Sequence, residues 1–286
     1  APFMLSTWKM APALAYGNSV VHKPSELSPL SIGVLGEIFQ EAGMPAGTYN
    51  TVLGYGKEAG APLVEHPDVV GVSFTGSPGT ARDIAARVAP QLKRTSFELG
   101  GKSAVFVFAD ANLDKAVPAA AGGIFVNSGQ MCVAGSRILV QQGLYDRFRD
   151  AFVARANALR VGDPKDPGSD LGALVSKAHL EKVLGHVEIA RKEGGRVLCG
   201  GDQVHLEGAL SGGWYMRPTV IEGLGPACRT NQEEIFGPVV TLQPFDTEEE
   251  ALTLANSTPY GLAAVIWTKD LQRAHRVARA VQSGIV

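Results

Sequence analysis

The chain is short of cysteine, of charge of one sign and of long apolar runs, and each shortage removes a class of protein. Its three cysteines, Cys132, Cys199 and Cys228, lie far apart and form no CxxC pair. That argues against a disulfide framework and for a reducing compartment, with the cytoplasm as the expected location. Lysine plus arginine number 26 and aspartate plus glutamate 28, a net charge of −2, so nothing favours a nucleic acid or another polyanion as partner. No apolar stretch approaches the roughly 20 residues that a membrane helix needs. The longest, such as Ala104–Ala109, have the length of buried strands. The six histidines show no metal-ligand spacing, and no metal site is expected. His179 and His186, seven apart on one predicted helix, read as a solvated face. No repeat or low-complexity tract stands out, and the opening residues do not read as a secretory signal. The chain does not begin with Met, and Gly284-Ile285-Val286 read as the start of a strand, so both ends are expected to be cut.

What is present is an alternation of short β-branched runs with amphipathic ones. Asn18–His22, Thr48–Leu53, Val69–Phe74 and Arg94–Leu99 read as strands; Pro29–Ala42, Gly56–Glu65 and Thr80–Val88 read as helices between them. Ser28 is the expected cap of the first of these, with Pro29 at its first helical position and Gly43 ending it. Strands alternating with helices imply parallel pairing through right-handed crossovers, with ligands at the carboxyl ends of the strands. Past Gly100-Gly101 the alternation continues with longer helices. Leu144, Phe148, Phe152, Ala156 and Leu159 form one stripe, and Leu180, Val183, Leu184 and Val187 follow the helical spacing. The expected fold is α/β, a partial doubly wound parallel-sheet domain over residues 1–99 and a second α/β domain over 100–286.

Four stretches carry candidate chemistry, and each also has a plainer reading. In Phe125-Val126-Asn127-Ser128-Gly129-Gln130-Met131-Cys132, small and polar residues crowd a single cysteine. A thiolate there is a nucleophile, whereas most lone cysteines are simply small buried hydrophobes. In Phe97-Glu98-Leu99-Gly100-Gly101-Lys102, a carboxylate ends an apolar strand, where open α/β sheets build their sites. It suits a general base, or an ordinary ion pair with Lys102 or Lys93. In Phe74-Thr75-Gly76-Ser77-Pro78-Gly79, Ser77 suits an N-cap and Pro78 the first helical turn. Such a helix start binds anions, although capping alone explains it equally well. Lys23-Pro24-Ser25-Glu26, directly after a strand, could hold the hydroxyls of a ribose, or be a solvated loop. The run Gly54-Tyr55-Gly56-Lys57-Glu58-Ala59-Gly60 is rich in glycine without the GxGxxG spacing.

Taken together, the order and spacing of these stretches resemble the aldehyde dehydrogenase superfamily along essentially the whole chain. The matching segments are Thr7-Trp8-Lys9 through Ala15, Gly17-Asn18, Lys23 to Glu26, Phe74 to Ser77, Glu98 to Lys102, Asn127 to Arg137, Glu233-Glu234-Ile235-Phe236-Gly237-Pro238, and Asn256 to Gly261-Leu262-Ala263. The resemblance implies NAD as cofactor and a role for each matching position. Cys132 would be the nucleophile, Glu98 the base that activates the hydrolytic water, and Lys9 a lysine near the proton relay. Lys23 and Glu26 would hold the adenosine ribose, Gly76 and Ser77 the pyrophosphate turn, and Glu234 the nicotinamide ribose. Gly56 and Phe236 join the cofactor-binding set, and Leu99 would touch the nicotinamide. Trp8 is expected to pack. Phe125, Met131 and Val133, around the nucleophile, would line an apolar substrate tunnel.

The implied reaction is oxidation of a small-molecule aldehyde to a carboxylic acid through a thiohemiacetal and then a thioester. Glu98 favours hydrolysis over transfer to coenzyme A, and Glu26 favours NAD over NADP. The stretches Glu233 to Phe245 and Ala274 to Val286 are similar to semialdehyde dehydrogenases of the muconic type. No membrane or nucleic-acid partner is implied, and a homodimer or homotetramer is expected of the complete protein. Two departures stand out. The family's Pro-Trp-Asn motif, whose Asn donates to the oxyanion, would stand just before Ala1, and a C-terminal segment would follow Val286. Loss of one such donor typically costs ~10²–10³ in turnover, so a chain confined to residues 1–286 is expected to be poorly stable and nearly inactive. Ala81, where the family often has Gly, is expected to change helix packing alone. The alternatives are an acylating enzyme or a catalytically silent scaffold.

Overall fold

A computed structural model describes residues 2–286, in two compact units, the first ending at Leu99 and the second spanning Gly100–Val286. In the first, helix α1 (Pro2–Ala15) precedes two βαβ units. Strand β1 (Val20–His22), helix α2 (Leu30–Glu41) and strand β2 (Tyr49–Thr51) form one, with β1 and β2 parallel in the register Val20↔Tyr49 to His22↔Thr51. A five-residue π-helical turn at Gly56–Gly60 leads into the short helix α3 (Ala61–Glu65). Strand β3 (Gly71–Thr75), helix α4 (Pro78–Val88) and strand β4 (Arg94–Glu98) form the second, also parallel, with Thr75 opposite Glu98.

The sequence explains α4 closely. The Ser77 side chain accepts from the Thr80 amide and Pro78 takes the first turn, where its missing N–H costs nothing. Ala81, Ile84 and Val88 are then the buried residues of the helix, and Ile84 and Val88 pack with Val64, Val72, Phe74 and Phe97. Helix α2 differs by one residue from expectation. Ser28 is not its cap: Pro29 occupies that position with helical dihedrals, and no side chain caps the end. Ser25 shapes the turn instead, its carbonyl accepting from Ser28 N and its hydroxyl from Leu27 N. Trp8, expected to pack, is 65% exposed.

The second unit is built on a six-stranded sheet. In chain order its elements are β5 (Ala104–Val107), α5 (Leu113–Phe125), β6 (Arg137–Gln141), α6 (Tyr145–Asn157), α7 (Lys177–Lys192), β7 (Arg196–Cys199), the antiparallel pair β8 (Gln203–Val204) and β9 (Tyr215–Met216), β10 (Thr219–Glu222), α8 (Arg229–Gln232), β11 (Val239–Phe245), α9 (Glu248–Ala255), β12 (Ala264–Trp267) and α10 (Leu271–Ala280). The sheet order is β12-β5-β6-β11-β10-β7, parallel except for the edge strand β7. Because both faces are covered, the strands β5, β6, β10 and β11 are buried almost without a break rather than at alternate residues. Val105, Val107, Ile138 and Val140 meet Ile124, Phe148 and Phe152 of α5 and α6. Ala104, Phe106 and Leu139, one residue out of phase, meet Ala251, Ala255 and Val277 of α9 and α10. Burying one such side chain contributes about 1.5–3 kcal/mol, which fixes the register of the strands that present the loops described next. No helix among the described residues is long and apolar enough to cross a membrane.

Candidate active site

In the first unit the candidate residues gather at the carboxyl ends of the parallel strands. Lys23 follows β1, Gly56 lies five residues past β2, Gly76 and Ser77 follow β3, and Glu98 ends β4. Parallel strands leave their ligand crevice at that end. The Lys23 ammonium donates to the carbonyls of Pro24 (2.6 Å) and Gly54 (3.1 Å), which ties β1 to the turn after β2. Glu26 is exposed. A Cβ on Gly76 would overlap the end of the Phe74 ring, which would have to shift to admit it. The Gly76 amide donates to the Glu98 carbonyl (3.1 Å). Lys9, from α1, donates to the Ser73 hydroxyl (3.1 Å). Burial pulls its ammonium below the ordinary lysine value, and the charge of Glu98 pushes the other way, so Lys9 and Glu98 share one end of this unit. Glu98 is exposed, whereas Leu99, the last residue of the unit, is half-buried. Lys93 is not an ion-pair partner; it donates to the carbonyls of Val64 (2.7 Å) and His66 (2.5 Å).

In the second unit, Cys132 sits in the loop between α5 and β6 and is half-buried. After Phe125 the backbone turns left-handed for three residues, Asn127 (φ 53°), Ser128 (φ 54°) and Gly129 (φ 71°). For a residue with a Cβ this conformation costs on the order of 1 kcal/mol or more and persists only where the surroundings enforce it. Here they do. The Asn127 side chain donates to the Gln130 carbonyl (3.0 Å) and the Gln130 side chain donates back to the Asn127 carbonyl (3.1 Å). The Ser128 hydroxyl donates to the Gly172 carbonyl (2.8 Å), and the Val175 amide donates to the Gln130 side chain (3.0 Å).

Two glycines join this loop to the Glu234 turn. A Cβ on Gly100 would overlap the Glu234 carboxylate, and one on Gly101 would overlap the Cys132 carbonyl. The Gly101 amide donates to Glu234 Oε1 (3.1 Å). Burial raises the Glu234 carboxyl above the usual range, opposed by that amide and by the charges of Lys182 and Lys102. Gly129 in turn packs against the Gly237 carbonyl so closely that no methyl fits. Phe236, the residue before Gly237, is itself left-handed (φ 61°).

Several expectations need correction. Phe125 does not face a tunnel: it is 2% exposed and packs on Phe152 with ring centroids 6.0 Å apart. The kink that follows turns its neighbour Val126 outward, 53% exposed. Met131 is half-buried against the same core and Val133 is exposed. His179 and His186 are not a solvated face. His186 is 6% exposed with Nε2 4.0 Å from Glu233 Oε2, and His179 Nε2 is 2.6 Å from the Phe236 carbonyl. The stripe Leu180, Val183, Val187 is buried, and the histidines border it.

Sequence reasoning missed two buried cations. Arg137, at the start of β6, donates to the carbonyls of Lys102 (2.9 Å), Leu254 (2.8 Å) and Ala255 (2.8 Å), and so ties the Gly100–Lys102 turn to the last turn of α9. Lys102 is 2% exposed, its ammonium has no hydrogen-bond partner, and burial, with the Arg137 charge, pushes its pKa down to about 7. A lone arginine opening an otherwise apolar strand was the available signal for the first. Among the described residues no group of histidine, cysteine and carboxylate side chains could hold a metal ion.

Comparison with known proteins gives the family and the fold. The aldehyde dehydrogenase family model matches residues 1–286. The 2-aminomuconic semialdehyde dehydrogenase of Mus musculus is 47% identical over 287 residues, covering all of this chain and 59% of that protein. The 5-carboxymethyl-2-hydroxymuconate semialdehyde dehydrogenase of Escherichia coli is 50% identical over 287 residues, covering all of this chain and 61% of that protein. Among solved structures, the betaine aldehyde dehydrogenase of Staphylococcus aureus in complex with NAD+ superposes with a TM-score of 0.96 at 40% identity, covering all of this chain and 56% of that one. The chain thus spans about three-fifths of the length of the relatives it matches.

Proposed function

The chain belongs to the aldehyde dehydrogenase family, and from that premise we propose that the complete protein oxidises an aldehyde to its carboxylic acid with NAD, through covalent intermediates on Cys132. The observation that carries the reading is the Gly100-Gly101 pair, which seats the Glu234 carboxylate on one residue and the Cys132 carbonyl on the next.

The residues present fit a dinucleotide. Gly76 keeps the turn after β3 free of a side chain, and the start of α4 offers amides to an anion. Lys23 and Glu26 suit the adenosine ribose, with the Glu26 charge disfavouring a 2′-phosphate. Gly56 and Leu99 line the same strand ends, and Glu234 and Phe236 suit the nicotinamide ribose. When bound, the nicotinamide accepts a hydride. The protein's own part is to supply a nucleophile and move protons. The Cys132 thiolate adds to the aldehyde carbon, giving a tetrahedral thiohemiacetal, which collapses to a thioester as hydride departs. Glu98 takes a proton from the water that attacks the thioester, and the acid leaves with Cys132 restored. Lys9, charge-coupled to Glu98, belongs to that proton path. Val126, Met131 and Val133 would line the substrate path, a reading that the exposure of Val126 and Val133 beside the nucleophile loop supports, with Val126 in the part expected of Phe125.

Seven of the relatives bear names of muconic-type semialdehydes, which supports an unsaturated semialdehyde carrying a carboxylate. A betaine aldehyde dehydrogenase of Mesorhizobium japonicum at 46% identity supports a cationic aldehyde as the second reading. A homodimer or homotetramer in the cytoplasm completes the proposal. The deciding experiment follows NADH formation by the complete protein with both aldehyde classes, with NAD against NADP, with and without coenzyme A, and with Cys132→Ser as control. NADH formed with NAD and lost in the variant is the expected outcome. NAD binding with no NADH from any aldehyde would refute it, and an acyl-coenzyme A product would replace hydrolysis by transfer.

A further inference from the structure

We infer that His179 is a positioning residue that fixes the backbone of the Glu234–Phe236 turn from helix α7, an inference that rests on the cofactor role proposed for that turn. Three consecutive facing positions of α7 track the turn in reverse order. His179 Nε2 meets the Phe236 carbonyl at 2.6 Å, Lys182 Nζ donates to the Glu234 carbonyl at 3.2 Å, and His186 Nε2 lies 4.0 Å from Glu233 Oε2. These are positions i, i+3 and i+7, one face of a helix. Between them the Val183 side chain lies against Gly237, where a Cβ would come within 2.6 Å of it. The helix therefore holds main chain, while the Gly101 amide holds the Glu234 carboxylate (3.1 Å).

His179 is placed to do the most. Its partner, Phe236, is the residue in the left-handed conformation (φ 61°), from which a phenylalanine relaxes if released. A carbonyl only accepts, so Nε2 must carry the hydrogen; burial lowers the imidazole pKa, and the bond to Phe236 opposes that shift. The ring also meets the Phe236 ring edge-on, with centroids 6.0 Å apart at 69°. His179 is itself held by helix geometry, its amide donating to the Ser176 cap at 3.2 Å. Releasing the Phe236 carbonyl would let the ring swing and would shift Glu234 two residues away, so the loss falls on cofactor affinity rather than on the chemistry at Cys132.

Two substitutions in the complete protein separate the hydrogen bond from packing. His179→Phe keeps a ring against Phe236 and removes the donor; His179→Gln keeps a donor of similar reach and removes the ring. Titration of protein fluorescence with NAD is expected to show about tenfold weaker binding for His179→Phe, the equivalent of one lost hydrogen bond. His179→Gln should stay within about twofold of wild type, and the KM for aldehyde should be unchanged in both. Equal affinities in all three proteins, or a larger loss for His179→Gln than for His179→Phe, would overturn the inference. Glu234→Ala measured alongside separates the two levels. If it weakens NAD binding while His179→Phe does not, only the role of His179 fails. If wild type does not bind NAD, the cofactor reading fails and takes the inference with it.

Discussion

The Gly101→Ala substitution in the complete protein is the sharpest probe of the site. One added methyl would overlap the Cys132 carbonyl and press on Leu262 Cβ at 3.3 Å. Gly101 cannot simply retreat, because its amide donates to Glu234 Oε1 and the carbonyl of the next residue, Lys102, accepts from Arg137. Roughly an ångström must be absorbed at the nucleophile loop, and a displacement of that size costs about 100-fold in rate when it falls on reacting groups. Overpacking adds about 1–3 kcal/mol of destabilisation. The assay is steady-state NADH formation with NAD at saturation, beside a thermal melt. Gly122→Ala is the internal control: that glycine lies in α5 and its Cβ would meet nothing within 4 Å. Helix propensity alone predicts a gain of about 1 kcal/mol there, with activity unchanged. A Gly101→Ala protein with kcat/KM within about threefold of wild type would refute the argument that Gly101 seats the Cys132 loop.

Other outcomes follow from the same contacts. Arg137→Met takes the side-chain donor from the Lys102 and Ala255 carbonyls, while the Leu254 carbonyl keeps the Ser257 amide and hydroxyl, and chemical denaturation should show a loss of about 2–5 kcal/mol; a loss under 1 kcal/mol would mean that the two carbonyls find other partners. Lys102 has a folded pKa of about 7, far below its unfolded value, so between those two values the unfolded chain binds more protons and stability rises with pH. Lys102→Met should be more stable than wild type below pH 7 and should flatten that rise; identical pH profiles would contradict the buried, unpartnered ammonium. Glu98→Gln cannot take a proton from water, so rapid mixing should give a burst of about one NADH per site and then a stalled thioester. Full turnover in that variant would move the base elsewhere.

Much of the fold was legible because its parallel strands are short, β-branched and punctuated by glycine. β3, α4 and β4 were read to within two residues, since Ser77 and Pro78 carry their own capping chemistry. Helix α1 was not read as an element, since it buries only Met10 and contains Pro12. The Phe125–Val126 reversal was invisible for a different reason: the chain turns left-handed immediately afterwards without a glycine until position 129, so helical spacing carried no information about which neighbour faces outward. The burial of the α7 histidines is not legible in their own helix, because the residues they face, Glu233 and Phe236, lie about 50 residues away in sequence. Within the site, the glycines were legible as a motif, but what each one makes room for is a tertiary fact.

The contact between Gly129 and Gly237 is made entirely of main chain, and that has a consequence for redesign. Where two loops meet main chain against main chain, the fit at that point does not depend on the identity of their side chains. The residues that point outward nearby, Val126 and Val133, can then be varied to admit longer or more polar aldehydes while the seam that aligns the nucleophile loop with the Glu234 turn stays as it is. A library confined to those two positions should yield altered substrate preference with thermal stability nearly constant, whereas variation at either glycine should yield few folded proteins.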